Sequence, residues 1–72
     1  MHLPIDTVLK KMEMNATGLA ERLGLDKSTV YRWRYSKKRG GTDGIIPLAY
    51  WGLIQEMSGG KVKQEDFLPQ DV

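Results

Sequence analysis

The sequence predicts an all-α fold, a compact bundle of four to five helices that forms a single domain over residues 1–72. Apolar residues recur at spacings of three and four, which places them on one face of successive helices. Asn, Asp or Pro precedes several of these stretches and Gly follows them, as at helix starts and ends. A domain this short buries only about 60% of its unfolded surface, so we expect the helices to share one small core.

The first predicted helix begins at Pro4, which suits a first turn, and Asp6 favours its positive end. Its apolar side chains fall within about 100° of one another on a helical wheel. They are Ile5, Val8, Leu9 and Met12. Asn15 is then a suitable N-cap for the next helix.

The second helix is predicted over residues 16–23. One face of it is apolar and carries Ala16, Leu19, Ala20 and Leu23. Gly24 is expected to end this helix with a positive φ, which glycine adopts at little cost. We expect Leu25 to enter the core within the turn and Asp26 to cap the third helix.

The third helix is predicted over residues 27–35, with Val30 and Trp33 about 60° apart on its buried edge. Its other side carries Lys27, Ser28, Tyr31, Arg32 and Tyr35, with Arg34 at the flank. Residues 36–46 are predicted to form a basic, glycine-rich loop, because Gly disfavours a helix there. The length of this loop is unusual for a helix connection and indicates either a function or disorder.

A fourth helix is predicted over residues 47–57, beginning at Pro47. Its core face is expected to carry Tyr50, Leu53, Ile54 and Met57. In the C-terminal segment 61–72, one last turn near residues 63–68 is expected to close over the core. The side chains that would do so are Val62, Phe67 and Leu68, before Pro69 and a frayed end.

The composition argues against several classes of function. The chain has no Cys, and its single His2 lies near the terminus, so we expect no disulfide, no metal site and no cofactor. No paired carboxylates share a predicted face, so an enzyme is not expected. No apolar run approaches the roughly 18 residues of a membrane span, and no small-molecule site is evident. A reducing, cytoplasmic setting fits these features.

The basic residues are concentrated in one part of the chain. Residues 27–42 hold six of the eleven Lys and Arg and none of the nine Asp and Glu, although the net charge is only +2. The rest of the chain is therefore net negative. A run of this kind is often only a solvated face, but here it begins on a helix face that is predicted to point outward. That placement favours a polyanion as partner.

The spacing over residues 16–35 is typical of a helix-turn-helix, which places its second helix in the major groove of DNA. Counted from Ala16, the fifth, ninth, tenth, fifteenth and eighteenth positions have the residue types that this unit requires. They are Ala20, Gly24, Leu25, Val30 and Trp33. A helical hairpin without a role in nucleic-acid binding is the alternative.

Residues 16–35 resemble the helix-turn-helix of the Cro/cI-type phage repressor superfamily. The later Ile46-Pro47, Ile54, Ser58-Gly59-Gly60-Lys61-Val62 and Glu65-Asp66-Phe67-Leu68-Pro69 resemble the short YdaS-like and Cro-like prophage regulators. The resemblance implies a DNA-binding domain that acts on an operator in the cytoplasm of a bacterial host cell, usually as a homodimer. The glycine-rich segment 36–45 departs from the family, in which Ile-Pro follows the recognition helix within a few residues.

The resemblance and the helical wheel together assign DNA contacts. Base readout is predicted for Lys27, Ser28, Tyr31 and Arg32. Contacts with the DNA backbone are predicted for Asn15, Thr17, Arg34, Tyr35, Lys37, Lys38 and Arg39. Asn15 has a plain capping role as a compatible alternative, and the loop has insertion into the minor groove as another.

Two exposed apolar candidates lie on the fourth helix. Leu48 and Trp51 are predicted either to form a homodimer or partner patch, or to have Trp51 packed under the loop or the C-terminal segment. Trp33, in contrast, is expected to be a core residue.

The sequence thus predicts sequence-specific binding of double-stranded DNA by a small phage or prophage transcriptional regulator, with repression as the default. Two alternatives remain open. One is an accessory factor for excision, replication or packaging that uses the same unit. The other is a protein-interaction module, antitoxin-like or polymerase-binding, with Leu48 and Trp51 as anchors.

Overall fold

Four α-helices and three short 3₁₀ helices make up the computed structural model, which describes residues 3–68 and has no strand in that range. The all-α prediction is confirmed for these residues. The α-helices are α1 (Pro4–Met12), α2 (Ala16–Leu23), α3 (Lys27–Trp33) and α4 (Trp51–Met57). The 3₁₀ helices cover Lys37–Arg39, Leu48–Tyr50 and Gln64–Phe67. His2 and the segment from Pro69 onward, including the predicted frayed end, lie outside the described residues.

Helix α1 begins with proline in its first turn, as predicted, and ends at Met12, with Glu13 as its C-cap. Glu13 takes the left-handed conformation, with φ 55°. The Met14 N–H then donates to the Leu9 carbonyl at 3.1 Å, which closes the end of the helix. The chain turns here toward the Asn15 cap of α2.

The core draws on every α-helix. Its buried apolar residues are Ile5, Val8, Leu9, Ala16, Leu19, Ala20, Val30, Trp33, Ile46, Ile54, Val62 and Phe67. Met12, Leu23 and Leu25 are half-buried and pack against this core. The apolar faces predicted for the first three helices are therefore confirmed, with Met12 and Leu23 at the rim.

The predicted boundaries of the third and fourth helices need correction. Helix α3 ends at Trp33 rather than at Tyr35, because the next two N–H groups donate three residues back: Arg34 to Tyr31 at 3.1 Å and Tyr35 to Arg32 at 3.0 Å. The fourth helix begins as a 3₁₀ turn over Leu48–Tyr50 before it continues as α4.

The core face predicted for the fourth helix is correct except at Leu53. That side chain is 45% exposed, whereas Ile54 is fully buried. Tyr50 and Met57 are half-buried against the core. Leu53 lies about 60° to one side of Tyr50 on the wheel, at the edge of this face, so it points toward solvent.

The C-terminal segment closes over the core through its 3₁₀ helix Gln64–Phe67. Phe67 is fully buried and Val62 is 2% exposed, as predicted, whereas Leu68 is 47% exposed. The segment is held to α1 by an ion pair that no sequence pattern indicated. The Lys11 Nζ donates to Asp66 Oδ2 at 2.8 Å.

Asp66 is the one buried charged residue of the described chain, at 5% exposed. The same Oδ2 also accepts the backbone N–H of Lys63 at 2.8 Å. Burial by itself would raise the pKa of Asp66, but the hydrogen bonds from the Lys11 ammonium and the Lys63 N–H outweigh it and lower this pKa from its ordinary 3.8. The carboxylate thus joins the start of the last turn to α1.

Asp66→Asn should lower the free energy of unfolding by about 1–3 kcal/mol near neutral pH, because it removes a charged acceptor shared by two donors. Since the folded state depresses the pKa of Asp66, the unfolded state binds the proton more readily. The stabilisation is therefore fully present above pH 3.8. It is lost as the pH falls through the lower pKa that Asp66 has in the folded state. Urea unfolding of both proteins across this range measures the effect.

The gap in stability between wild type and Asp66→Asn should close in acid. Glu65→Gln is the matched control, since it removes an exposed carboxylate from the same turn. A gap that stays constant down to about pH 2 would show that the Asp66 charge does not hold the segment.

Candidate nucleic-acid interface

The turn between α2 and α3 is closed by backbone hydrogen bonds. Gly24 has φ 71°, as predicted, and its N–H donates to the Glu21 carbonyl at 3.2 Å. The Leu25 N–H donates to the Ala20 carbonyl at 2.9 Å. These two bonds are those of a Schellman motif, which satisfies the last carbonyls of α2 and turns the chain sharply. Ala20 is 1% exposed, and its small side chain permits close packing of α3 on α2.

Helix α3 is capped at its start and buried along one edge. Asp26 Oδ1 accepts the Ser28 N–H at 3.4 Å, a long version of the predicted cap. Val30 is fully buried and Trp33 is 5% exposed, as predicted. The Trp33 ring lies against the Tyr50 ring, with centroids 5.5 Å apart. The rotation of α3 about its axis is set by this buried edge.

The opposite face of α3 is open to solvent. All four side chains for which base readout was predicted are exposed and lie together on this face: Lys27, Ser28, Tyr31 and Arg32. Within residues 3–68 neither of its two cations forms an ion pair. The face therefore presents hydrogen-bond donors that are not committed to the protein's own carboxylates.

The start of α2 lies beside this face. The Tyr31 hydroxyl lies 3.4 Å from the Thr17 hydroxyl, which joins the middle of α3 to the first turn of α2. Asn15 Oδ1 accepts the Gly18 N–H at 2.8 Å, so its capping role is confirmed. Asn15 is exposed and Thr17 half-exposed. Two of the predicted backbone-contact residues thus border the face predicted to read bases.

Arg34 has a partner that no sequence pattern indicates. Its guanidinium lies 3.1 Å from Asp6 Oδ1 on α1, with the two side chains 44% and 34% exposed. Asp6 suits the start of α1 for local reasons, and no spacing rule connects it with a residue so distant in the chain. A phosphate contact by Arg34 therefore requires exchange of an existing ion pair.

Residues 36–46 form a folded segment. The Lys37–Arg39 turn is followed by Gly40 in the left-handed conformation, with φ 84°. Asp43 Oδ1 accepts the Lys37 N–H at 3.1 Å, and the Asp43 N–H donates to the Tyr35 carbonyl at 2.9 Å. The long connection was interpreted as a sign of either a function or disorder, and the structure describes it as folded.

The cations of this segment lie on its surface. Lys37, Lys38 and Arg39 are exposed, and the Arg39 guanidinium lies 5.7 Å from the centroid of the Tyr35 ring. Such a contact between a cation and an aromatic face restrains the arginine while leaving its charge available. Tyr35 is 44% exposed, so this pair is part of the accessible surface.

Trp51 makes contacts with two other parts of the chain. Its ring stacks on the Phe67 ring with centroids 4.9 Å apart and planes 9° apart, and its Nε1 donates to the Ile46 carbonyl. Trp51 thus packs under the C-terminal segment, as one of its two interpretations predicts, and its side chain is half-buried. Leu48 alone of the pair projects into solvent, at 72% exposed.

The rest of the described surface includes an open cleft of about 530 Å³ that is lined by Asp6, Thr7, Lys10 and Lys11 of α1. Among residues 3–68 no three His, Cys, Asp or Glu side chains lie together as metal ligands. A small cleft of about 130 Å³ between the ends of α1, α2 and α4 is lined by cations and methionines. No helix within this range has the length and apolar character needed to cross a membrane.

Comparison of the chain with protein-family models, with curated proteins and with solved structures finds no match.

Gly24→Ala should lower the free energy of unfolding by about 1 kcal/mol, because a Cβ is unfavourable at φ 71°. Gly52→Ala is the matched control. Gly52 lies within α4, and a Cβ there would meet nothing within 4 Å. The control should therefore raise stability by up to about 1 kcal/mol. Equal effects of the two substitutions in thermal unfolding would contradict the left-handed turn.

Proposed function

We propose that this protein binds double-stranded DNA in a sequence-specific manner, with α3 in the major groove, and regulates transcription as a small phage-type repressor. One observation carries the proposal. The face of α3 opposite Val30 and Trp33 is exposed and holds cationic and hydroxyl side chains. It also begins the only long stretch of the sequence that is basic and free of acidic residues. A capped helix held by one buried edge is a suitable scaffold for reading bases.

The side chains of this face have the chemistry for base readout. Arg32 and Lys27 can donate to the O6 and N7 atoms of guanine. Ser28 can pair with several base edges, and Tyr31 can contact a thymine methyl group. Because Tyr31 lies beside Thr17, its position is also supported by α2.

Contacts with the DNA backbone would come from the start of α2 and from the residues that follow α3. At the start of α2, Asn15 and Thr17 lie where N–H groups of a helix end attract phosphate. After the end of α3, the exposed residues that can contact phosphates are Tyr35, Lys37, Lys38 and Arg39. Arg34 joins them only by exchanging Asp6 for a phosphate. These contacts position α3 without specifying sequence.

A homodimer on DNA completes the proposal, since one small helix buries too little area for high specificity. The exposed residues of the segment 48–53 are all uncharged: Leu48, Ala49, Gly52 and Leu53. They offer an apolar surface for a second copy. With Trp51 engaged internally, Leu48 is the leading contact of this surface.

Arg32→Ala should weaken binding to a cognate site by about 10- to 100-fold, the range of one bidentate base contact. The site is obtained by selection from a pool of random duplexes. Lys61→Ala is the control, since Lys61 is an exposed cation on the loop after α4. Equal losses for the two variants would show that charge alone, and not base readout, accounts for binding.

Leu48→Glu should shift the protein from dimer to monomer in sedimentation on the selected duplex, because it places a carboxylate on the apolar surface at its most exposed leucine. Leu68→Glu is the control, since it makes the same change at a leucine that is 47% exposed and lies outside this surface. If Leu48→Glu leaves the complex stoichiometry unchanged, the dimer surface lies elsewhere.

A further inference from the structure

We propose that residues 36–44 form a prefolded clamp for the sugar–phosphate backbone of the same duplex, and that Asp43 and Gly41 are positioning residues that hold its shape. This inference rests on the proposed function. It goes further by stating that the affinity of the basic segment depends on two residues that need not touch DNA.

The cations of the clamp lie on one short turn. The Arg39 N–H donates to the Ser36 carbonyl at 2.9 Å, and the Gly40 N–H donates to the Lys37 carbonyl at 3.1 Å. The Gly41 N–H also donates to the Ser36 carbonyl, at 3.0 Å. All three cationic side chains of this turn are exposed, and they share one hydrogen-bonded backbone.

The clamp is attached to the end of α3. The Gly44 N–H donates to the Trp33 carbonyl, and the Asp43 N–H donates to the Tyr35 carbonyl at 2.9 Å. On its far side, the Gly44 carbonyl accepts the Ile5 N–H of α1 at 2.9 Å. The segment therefore keeps a set orientation to the helix that carries the candidate base contacts.

Asp43 closes the clamp with one side chain. Its carboxylate accepts the Lys37 N–H across six residues, and its own φ is 54°. Asp and Asn tolerate this left-handed conformation better than other residues with a side chain. Asp43 is the one acidic residue of the segment 36–46, so its charge opposes DNA binding while its hydrogen bond supports the clamp.

Gly41 permits the closest approach of the clamp to α3. A Cβ at this position would overlap the backbone carbonyl oxygens of Tyr35 and Arg32. Backbone atoms cannot move aside as the end of a flexible side chain can. Any larger residue here must therefore push the clamp away from α3.

The fixed shape matters because a flexible basic loop would have to be ordered on binding. Ordering the backbone and long side chains opposes association. In this structure the backbone of residues 37–39 is already ordered, and Arg39 is restrained over Tyr35. The clamp thus has cations ready to meet phosphates, which explains the use of an acidic residue inside a basic segment.

Two substitutions of Asp43 separate the effect of this residue on the shape of the clamp from the effect of its charge. Asp43→Asn and Asp43→Ala both remove the carboxylate charge, but only Asn retains an oxygen acceptor and tolerance of the left-handed conformation. On a fluorescent random-sequence duplex, Asp43→Ala should bind about fivefold more weakly than Asp43→Asn, the range of one lost hydrogen bond. Both affinities are measured at a temperature below the unfolding midpoints of the two variants, so that both proteins are folded. Equal affinities of the two variants overturn the proposal.

A variant that lacks the three cations of the clamp tests whether Asp43 acts through them. Combining Lys37→Gln, Lys38→Gln and Arg39→Gln should reduce the salt slope of binding by about 2.7. In that background Asp43→Ala and Asp43→Asn should bind equally. A fivefold difference that persists there would assign Asp43 a general effect on folding and overturn the clamp. If the triple variant keeps the wild-type slope, the clamp fails while DNA binding by α3 stands; if wild type does not bind duplex, both fail.

Discussion

The burial of Trp33 at the end of α3 is the constraint on which the rest of this small protein depends. Its ring packs on Tyr50, and its backbone carbonyl accepts the Gly44 N–H of the basic segment. One residue therefore joins α3 to the fourth-helix region and to the basic segment. With a core of so few side chains, each such junction is a large share of the total stability. The exposed face of α3 points outward because Trp33 and Val30 point inward.

Features with a local cause could be predicted from the sequence. Asn15 and Gly24 act within one turn of the residues they cap, so their identities were sufficient. The burial of Val30 and Trp33 followed from helical periodicity. Leu53 was misplaced because it lies at the edge of its face, where periodicity alone does not decide exposure.

Features that depend on distant parts of the chain could not be predicted. The Arg34–Asp6 and Lys11–Asp66 ion pairs join residues with no spacing in common. The packing of Trp51 could be given only as one of two alternatives, because it depends on the position of Phe67, which is distant in the sequence. The four α3 residues of the candidate site could be proposed because they share one face of a predicted helix. The clamp could not be proposed without the structure of residues 36–44, because local sequence rules predict only a loop there.

The most direct test of the account is a salt titration of duplex binding, by fluorescence anisotropy, with the full chain and a labelled random-sequence duplex. If about five phosphates are neutralised, the logarithm of the association constant should fall linearly with the logarithm of salt concentration, with a slope near −4.5. Absence of binding at low salt, or a slope near zero, would contradict the account and leave the exposed face of α3 without a nucleic-acid role.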